Sequence, residues 1–292
     1  MKKRKQNQQA FDDGPSDKAL GVQDTNDSDE EDDDSQEIVN VDFEFFDPKE
    51  EDFHGVKALL RTYLDDATWD LSGFVDIILG QPTVGTVIKT AEDESPIGVI
   101  TVLNLGRYKE KSCLLHVYDF LKRNVSDGTK VEAVFNNNPG EVGLLVSERL
   151  INIPEELASP LYKGLLDEVS WAIEDEPTKI LRDSFKFKQY LIVSRIFQQL
   201  PKKKKKGAPK KLKKQSKQQS VSGNEEMDNG ELIYIKPEDE LFHKLSHWSC
   251  KFPASSEAAA AHEIQGLKQF RLVMLLSAQS MELFKSQFCI VE

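Results

Sequence analysis

Along residues 38–46, Val39, Val41, Phe43 and Phe45 alternate with Asn40, Asp42 and Glu44. A period of two puts the two sets on opposite sides of an extended chain, and this predicts a strand. Asp47 and Pro48 then stand as N-cap and first helical residue. Phe53, Val56, Leu59, Leu60, Tyr63 and Leu64 follow at helical spacing, which predicts an amphipathic helix over 48–64. A second short helix is predicted over 71–79. Two β-runs, 83–90 and 97–105, flank a short acidic loop ending at Pro96 and predict an antiparallel hairpin. In the second run Val99, Leu103 and Leu105 lie with Thr101 on one side, and Ile100 and Val102 on the other, as in a strand covered on both faces.

The rest of the chain continues the alternation. Helices are predicted over 111–124, in a short stretch before Asn136, and from Ser159 and Pro160 through Leu161, Leu165, Val169 and Ala172. Further helices are predicted around Leu241, Phe242 and Leu245, and over 278–288. Strands are predicted over 142–147, 185–196, 232–235 and 270–276. Strands and helices alternate, yet a hairpin comes early and another β region late, so the sheet is expected to be mixed. The expected class is α/β or α+β, a single domain of three layers. No repeat of fixed period is visible.

Composition divides the chain. Residues 1–37 hold few apolar side chains beyond Phe11, Leu20 and Val22, and residues 201–230 are built from Lys, Gln, Ser, Gly and Asn. Neither buries enough surface to offset its ordering entropy, so a disordered acidic tail and a disordered Lys-rich insertion are expected. They leave 38–200 and 231–292 as two parts of one core domain. The formal net charge of −12 is unevenly spread. Residues 12–37 carry twelve acids and one lysine, residues 202–217 ten lysines and no acid, and residues 2–5 four bases, leaving −15 on the remainder. An acidic body repels phosphate backbones and attracts basic proteins. No window approaches 18 consecutive apolar residues, and Met1 to Lys5 lead into Gln and Asp, so neither a membrane span nor a secretory signal is expected. Cys113, Cys250 and Cys289 are odd in number and widely spaced, which fits a reducing compartment.

Local motifs offer little catalytic chemistry. His243, His247 and Cys250 would converge if one helix carried all three, but the ligand set is thin and Trp248 and Phe252 favour core packing. Cys113 and His116 share a helix face among Leu114, Leu115, Val117 and Tyr118, as a buried thiol beside a satisfied histidine would. Ser147, Glu148 and Arg149 end an apolar strand without a G-x-S-x-G elbow, so ion pairing of Glu148 or Arg149 is the better account. No phosphate-cradling glycine loop occurs. Catalytic, cofactor and metal sites are therefore not expected. The lysine tract, Lys202, Lys203, Lys204, Lys205, Lys206, Lys210, Lys211, Lys213 and Lys214, reads first as a nuclear import address. RNA contact, pairing with the acidic tail and a merely solvated insertion are the alternatives, although no aromatic interleaves the tract for base stacking. Asp29, Glu30, Glu31, Asp32, Asp33 and Asp34 form an acidic run that could shield a basic client or simply solubilise the chain, and Ser28 before it is a candidate phosphosite.

The segments VNVDFEFF (39–46), GVKALL (55–60), GTVIK (85–89), GVITVLNL (98–105), VGLLVSERLINIP (142–154) and YLIVSRIF (190–197), followed by the lysine tract, resemble the BCCIP family and its fungal counterpart in order and content. The resemblance covers nearly everything from residue 38 onward and includes the acidic tail. It implies a non-enzymatic nuclear protein that escorts a basic large-subunit ribosomal protein and supports ribosome biogenesis. Its other implied partners are nuclear transport factors, a phosphatidylinositol phosphate kinase in nuclear export and, in animals, cell-cycle and DNA-repair proteins. It also implies residence in the nucleus with shuttling to the cytoplasm, and a GCN-type acetyltransferase-like fold without its cofactor site. The acetyltransferase signature [QR]-x-x-G-x-[GA] is absent here: Leu105, Gly106, Arg107 and Tyr108 follow the central run without it. An acetyltransferase-like enzyme is thus the alternative function, and no cofactor is expected.

Overall fold

The computed structural model describes residues 41–199, 230–255 and 266–289. The expected acidic tail, Ser28 and the lysine tract lie outside the described residues, as does the 201–230 insertion apart from Gly230. Strands β1 (Glu44–Phe46), β2 (Gly85–Lys89), β3 (Gly98–Asn104), β4 (Val142–Arg149), β5 (Gln189–Gln199), β6 (Leu232–Tyr234), β7 (Trp248–Pro253) and β8 (Leu267–Ser277) form one sheet. Its order is β1-β2-β3-β4-β5-β8-β7, with β6 also paired to β5. The expected β2–β3 hairpin is antiparallel, and β4–β5 is the parallel pair, so the sheet is mixed.

Period-two alternation sorts the strand side chains between two cores. Val87, Val99, Leu103, Leu144, Val146, Val193 and Val273 face helices α1 (Phe53–Leu59), α2 (Leu71–Leu79), α3 (Ser112–Asn124) and α4 (Gly128–Asn136). Their neighbours Ile88, Ile100, Val102, Leu145, Ile192, Leu272 and Met274 face α5 (Ala158–Asp175), α7 (Pro237–Leu245) and α8 (Ala278–Phe288). A short helix, α6 (Lys179–Asp183), lies between α5 and β5. The expected α/β class, three layers and double coverage of β3 are all present; every residue of β3 is buried. The second core is closed by a ring cluster in which Phe242 stacks on Phe284 with centroids 4.0 Å apart and Tyr162 meets both edge-on.

Several expected elements are shorter or displaced. The first strand is described only over Glu44–Phe46, where it pairs with β2 at the sheet's edge. The expected helix 48–64 begins as a 3-10 turn at Glu50–Asp52, is α-helical over Phe53–Leu59, and dissolves into turns through Asp66. Its start is set by Asp52, whose carboxylate accepts the Lys49 N–H at 2.9 Å, rather than by Asp47. Asp52 is buried because Lys89 Nζ sits 2.6 Å from it. The strand expected from Phe185 starts at Gln189; Phe185 and Phe187 are core residues in the preceding turn. His243, His247 and Cys250 do not share a helix, since α7 stops at Leu245 and β7 begins at Trp248.

A candidate binding cleft between two diverging strands

β4 and β5 run side by side only from Val142↔Gln189 to Leu145↔Ile192. Past that point β4 continues to Arg149 along β3, whereas β5 continues to Gln199 between β8 and β6. A wedge opens between them. Strand alternation carries one set of polar side chains to each side of it: Glu148 and Arg195 on the face of Val146 and Val193, Ser147, Arg149 and Ser194 on the opposite face.

On the first face the charges are paired across strands. Arg195 Nη2 donates to Glu148 Oε2 at 2.8 Å, and its Nη1 donates to Thr62 Oγ1 at 3.0 Å. Arg271, on β8 and only 1% exposed, donates through Nε to Asp65 Oδ1 at 2.6 Å and through Nη2 to the Thr62 carbonyl. Its Nη1 has no acceptor among the described residues. Asp65 has φ = 55°, a left-handed backbone that Asp tolerates better than most, and its second oxygen accepts the Ser255 N–H at 3.0 Å. Burial alone would push the Glu148 carboxyl up; Lys236, Arg195 and Arg271 outweigh it and hold it below the usual range. Burial draws the Arg271 guanidinium down, against the pull of Asp65.

On the second face the first turn of α7 supplies the acids. Arg149 grips Glu238 with both terminal nitrogens, Nη2 to Oε2 at 3.0 Å and Nη1 to Oε1. Ser194 Oγ donates to Asp239 Oδ2, and Lys236 Nζ donates at 2.7 Å to the Ser147 carbonyl, capping a backbone acceptor on the side where β4 has left its partner. Burial pushes the Asp239 carboxyl up to about 6, only partly offset by Lys236. For Glu238, burial is outweighed by the Arg149 bonds, and its carboxyl lies below the usual range.

Between these clusters is a cavity of about 640 Å³ whose walls include Leu150, Ile151, Ile153, Phe197, Ile233 and Ile235. An apolar space with convergent polar groups at its edges is the usual form of a binding cleft. Among the cavity's lining residues Arg149 and Arg195 are taken up by Glu238 and Glu148, Arg271 by Asp65, and Lys236 by the Ser147 carbonyl. The connection from β4 to α5 has no glycine between Gly143 and Gly164 and brings Glu155 and Glu156 to the 3-10 turn before the helix. A pyrophosphate needs free N–H groups at that entrance and would meet carboxylates instead.

The sequence singled out Ser147, Glu148 and Arg149, and the ion pairing expected of Glu148 and Arg149 is what the structure shows. Thr62, Asp65, Arg195, Lys236, Glu238, Asp239 and Arg271 were not singled out. A signal existed for two of them, since Arg195 and Arg271 are lone charges inside long β-runs. His116 is satisfied as expected, its Nδ1 accepting the Asp70 N–H at 3.1 Å, and burial pushes the Cys113 thiol up. His243 bridges Tyr234 OH (2.7 Å) and Ser249 Oγ (3.1 Å), whereas Cys250 Sγ lies 3.5 Å from Ser126 Oγ. Among the described residues no three His, Cys, Asp or Glu side chains gather to hold a metal ion.

Comparison with known proteins places this architecture. The BCCIP family profile matches residues 38–242, including β1 to β6 and the whole wedge-forming part of β4 and β5. The chain belongs to the BCCIP family. A relative named Protein BCCIP homolog from Arabidopsis thaliana is 46% identical over 263 residues, covering 88% of this chain and 76% of its own. Protein bcp1 from Schizosaccharomyces pombe is 32% identical, with 76% of this chain and 77% of its own covered. The crystal structure of BCP1 from Saccharomyces cerevisiae aligns with a TM-score of 0.56 at 25% identity, over 89% of this chain and 93% of that one. The BCCIP match ends at residue 242, inside α7, so Glu238 and Asp239 fall within it and Arg271 beyond it.

Proposed function

We propose that this chain is a non-enzymatic nuclear escort for a basic large-subunit ribosomal protein, acting in ribosome biogenesis and in nuclear export. The reading extends the family membership by one physical observation: the described residues alone carry 32 acids against 23 bases, a net charge of −9. Client Lys and Arg side chains pair with surface carboxylates that stand in for rRNA phosphates, which suppresses aggregation and premature RNA binding. In this reading the acidic run Asp29–Asp34 adds to the shield, phosphorylation of Ser28 deepens it, and Lys202–Lys214 engage nuclear transport factors. Contacts with a phosphatidylinositol phosphate kinase or with cell-cycle and DNA-repair proteins belong to the same proposal.

Titration of the purified full chain against individual large-subunit ribosomal proteins tests it. One of them is expected to bind in near-equal amount, with affinity falling steeply as salt rises. Binding to none, or an affinity indifferent to salt, overturns the escort reading. Deletion of 202–217 is expected to leave the protein cytoplasmic in cells, and unchanged nuclear accumulation would remove the import role.

A further inference from the structure

The cleft adjoins two further depressions, and the three together form a stepped groove along the surface. Arg149, Leu150, Ile151 and Arg195 also border a second depression of about 550 Å³ that crosses the contact between α1 and Pro96. His54, Gly55, Ser95 and Pro96 in turn border a third, of about 650 Å³, walled by Glu51, Glu92, Asp93 and Glu94. Shared walls set the three depressions side by side in a row. Between the second and third, α1 packs closely on the hairpin loop: a Cβ on Gly55 would stand 2.5 Å from Pro96 Cδ.

The two ends differ in chemistry. At the cleft end Ile151 is 86% exposed, Leu150 47% and Ile233 42%, so three of the large apolar side chains that water reaches on this body meet at one place. The four cations around them do not make that end an anion site. Arg149, Arg195 and Arg271 pair with Glu238, Glu148 and Asp65, and Lys236 is spent on the Ser147 carbonyl. At the far end Glu51, Glu92, Asp93 and Glu94 are all exposed. Of the two lysines there, Lys89 is buried against Asp52, and Lys49 reaches Glu92 at 2.6 Å, leaving an acidic excess. Leu150 and Ile151 lie in the turn that follows β4, and their exposure is not explained by core packing.

We propose that this groove seats an extended segment of a basic protein. An apolar side chain of that segment enters the cleft against Leu150, Ile151 and Ile233, and neighbouring Lys or Arg side chains lie over Glu51, Glu92, Asp93 and Glu94. The identity of that protein as a ribosomal client rests on the escort reading above; the groove supplies the docking place. The occupant follows from charge complementarity: an acidic segment or a nucleic acid would be repelled at the acidic end, and a wholly polar basic segment would leave the apolar end unfilled.

The test uses the full chain, the ribosomal protein identified by titration, and a fluorescein-labelled synthetic peptide with leucines at one end and lysines at the other, made in both orders. Binding is read by fluorescence anisotropy. Ile151→Asp and the triple change Glu92→Lys, Asp93→Lys, Glu94→Lys alter exposed side chains at opposite ends of the groove. Glu174→Lys with Asp175→Lys, exposed near the end of α5, is the control for overall charge. Each groove variant is expected to weaken the ribosomal protein and the better-binding peptide about tenfold or more, and the control less than about threefold. If the ribosomal protein binds but the control weakens it as much as the groove variants do, the groove assignment falls and the escort reading stands. If no ribosomal protein binds while the peptide keeps its dependence on both ends, the escort reading falls and the groove stands as a site for another basic protein. A peptide that fails to bind, or binds all variants alike, overturns the groove itself.

Discussion

Glu168 shows how a partly buried carboxyl adds to the pH response of this body. It sits on α5 and accepts the Gly85 N–H at 2.9 Å and the Thr86 hydroxyl at 3.3 Å, yet burial pushes it up to about 7. The folded chain therefore holds a proton that the unfolded chain has already lost, and stability falls as pH rises from the ordinary carboxyl range through 7. Glu168→Gln is expected to gain on the order of 1 kcal/mol at pH 8, a figure reduced for partial exposure, with the gain disappearing near pH 4.5. Urea denaturation at the two pH values checks this, and an equal difference at both would refute it. The Arg149–Glu238 pair gives the opposite kind of sensitivity. Arg149→Met leaves Glu238, which is fully buried, without its counter-charge and is expected to cost about 3–5 kcal/mol. Adding Glu238→Leu should restore most of the loss, because replacing both partners removes the uncompensated charge; a double variant as unstable as the single would contradict that account.

At the scale of elements, β4 is the hinge of the architecture, because it must press against β3 throughout and against β5 at its beginning only. Gly143 lies in that paired beginning, and a Cβ there would come within 2.5 Å of Val102 Cγ1 and 3.1 Å of the Phe187 ring. Gly143→Ala is expected to destabilise by about 1–3 kcal/mol through overpacking, measurable as a lower Tm. Elements with long, clean periodicity were legible from the sequence: β2, β3, α2, α3 and α8 stand within a residue or two of expectation. Two elements were not. β7 carries Lys251 and Pro253 on an exposed edge strand and reads as polar, so its pairing with β8 is a tertiary choice without a local signal. α6, five residues long, is too short to show a period and is nucleated by Thr178, whose hydroxyl accepts the Leu181 N–H at 3.2 Å. The site was legible in part for the same reason. Glu148 and Arg149 stood out at the end of an apolar run, but their partners come from β5 and the first turn of α7, 47 and 89 positions away, which one-dimensional spacing cannot join.

For the whole molecule, the mixed sheet accounts for where additions to the chain can be carried. Gln199 and Gly230, the described residues on either side of 200–229, lie close together. Gln199 N donates to the Glu231 carbonyl at 3.0 Å, and Gln198 Nε2 donates to the Gly230 carbonyl at 3.1 Å. With both ends stitched by the β5–β6 ladder, closure entropy changes only logarithmically with whatever is strung between them. A tight glycine-serine turn substituted for 202–228 should stabilise the fold by only about 1 kcal/mol, read as a small rise in the urea midpoint, and a loss of stability would contradict this account. This corner therefore works as a socket: tags or guest domains can be plugged in or removed there while the lattice behind it registers only a small change.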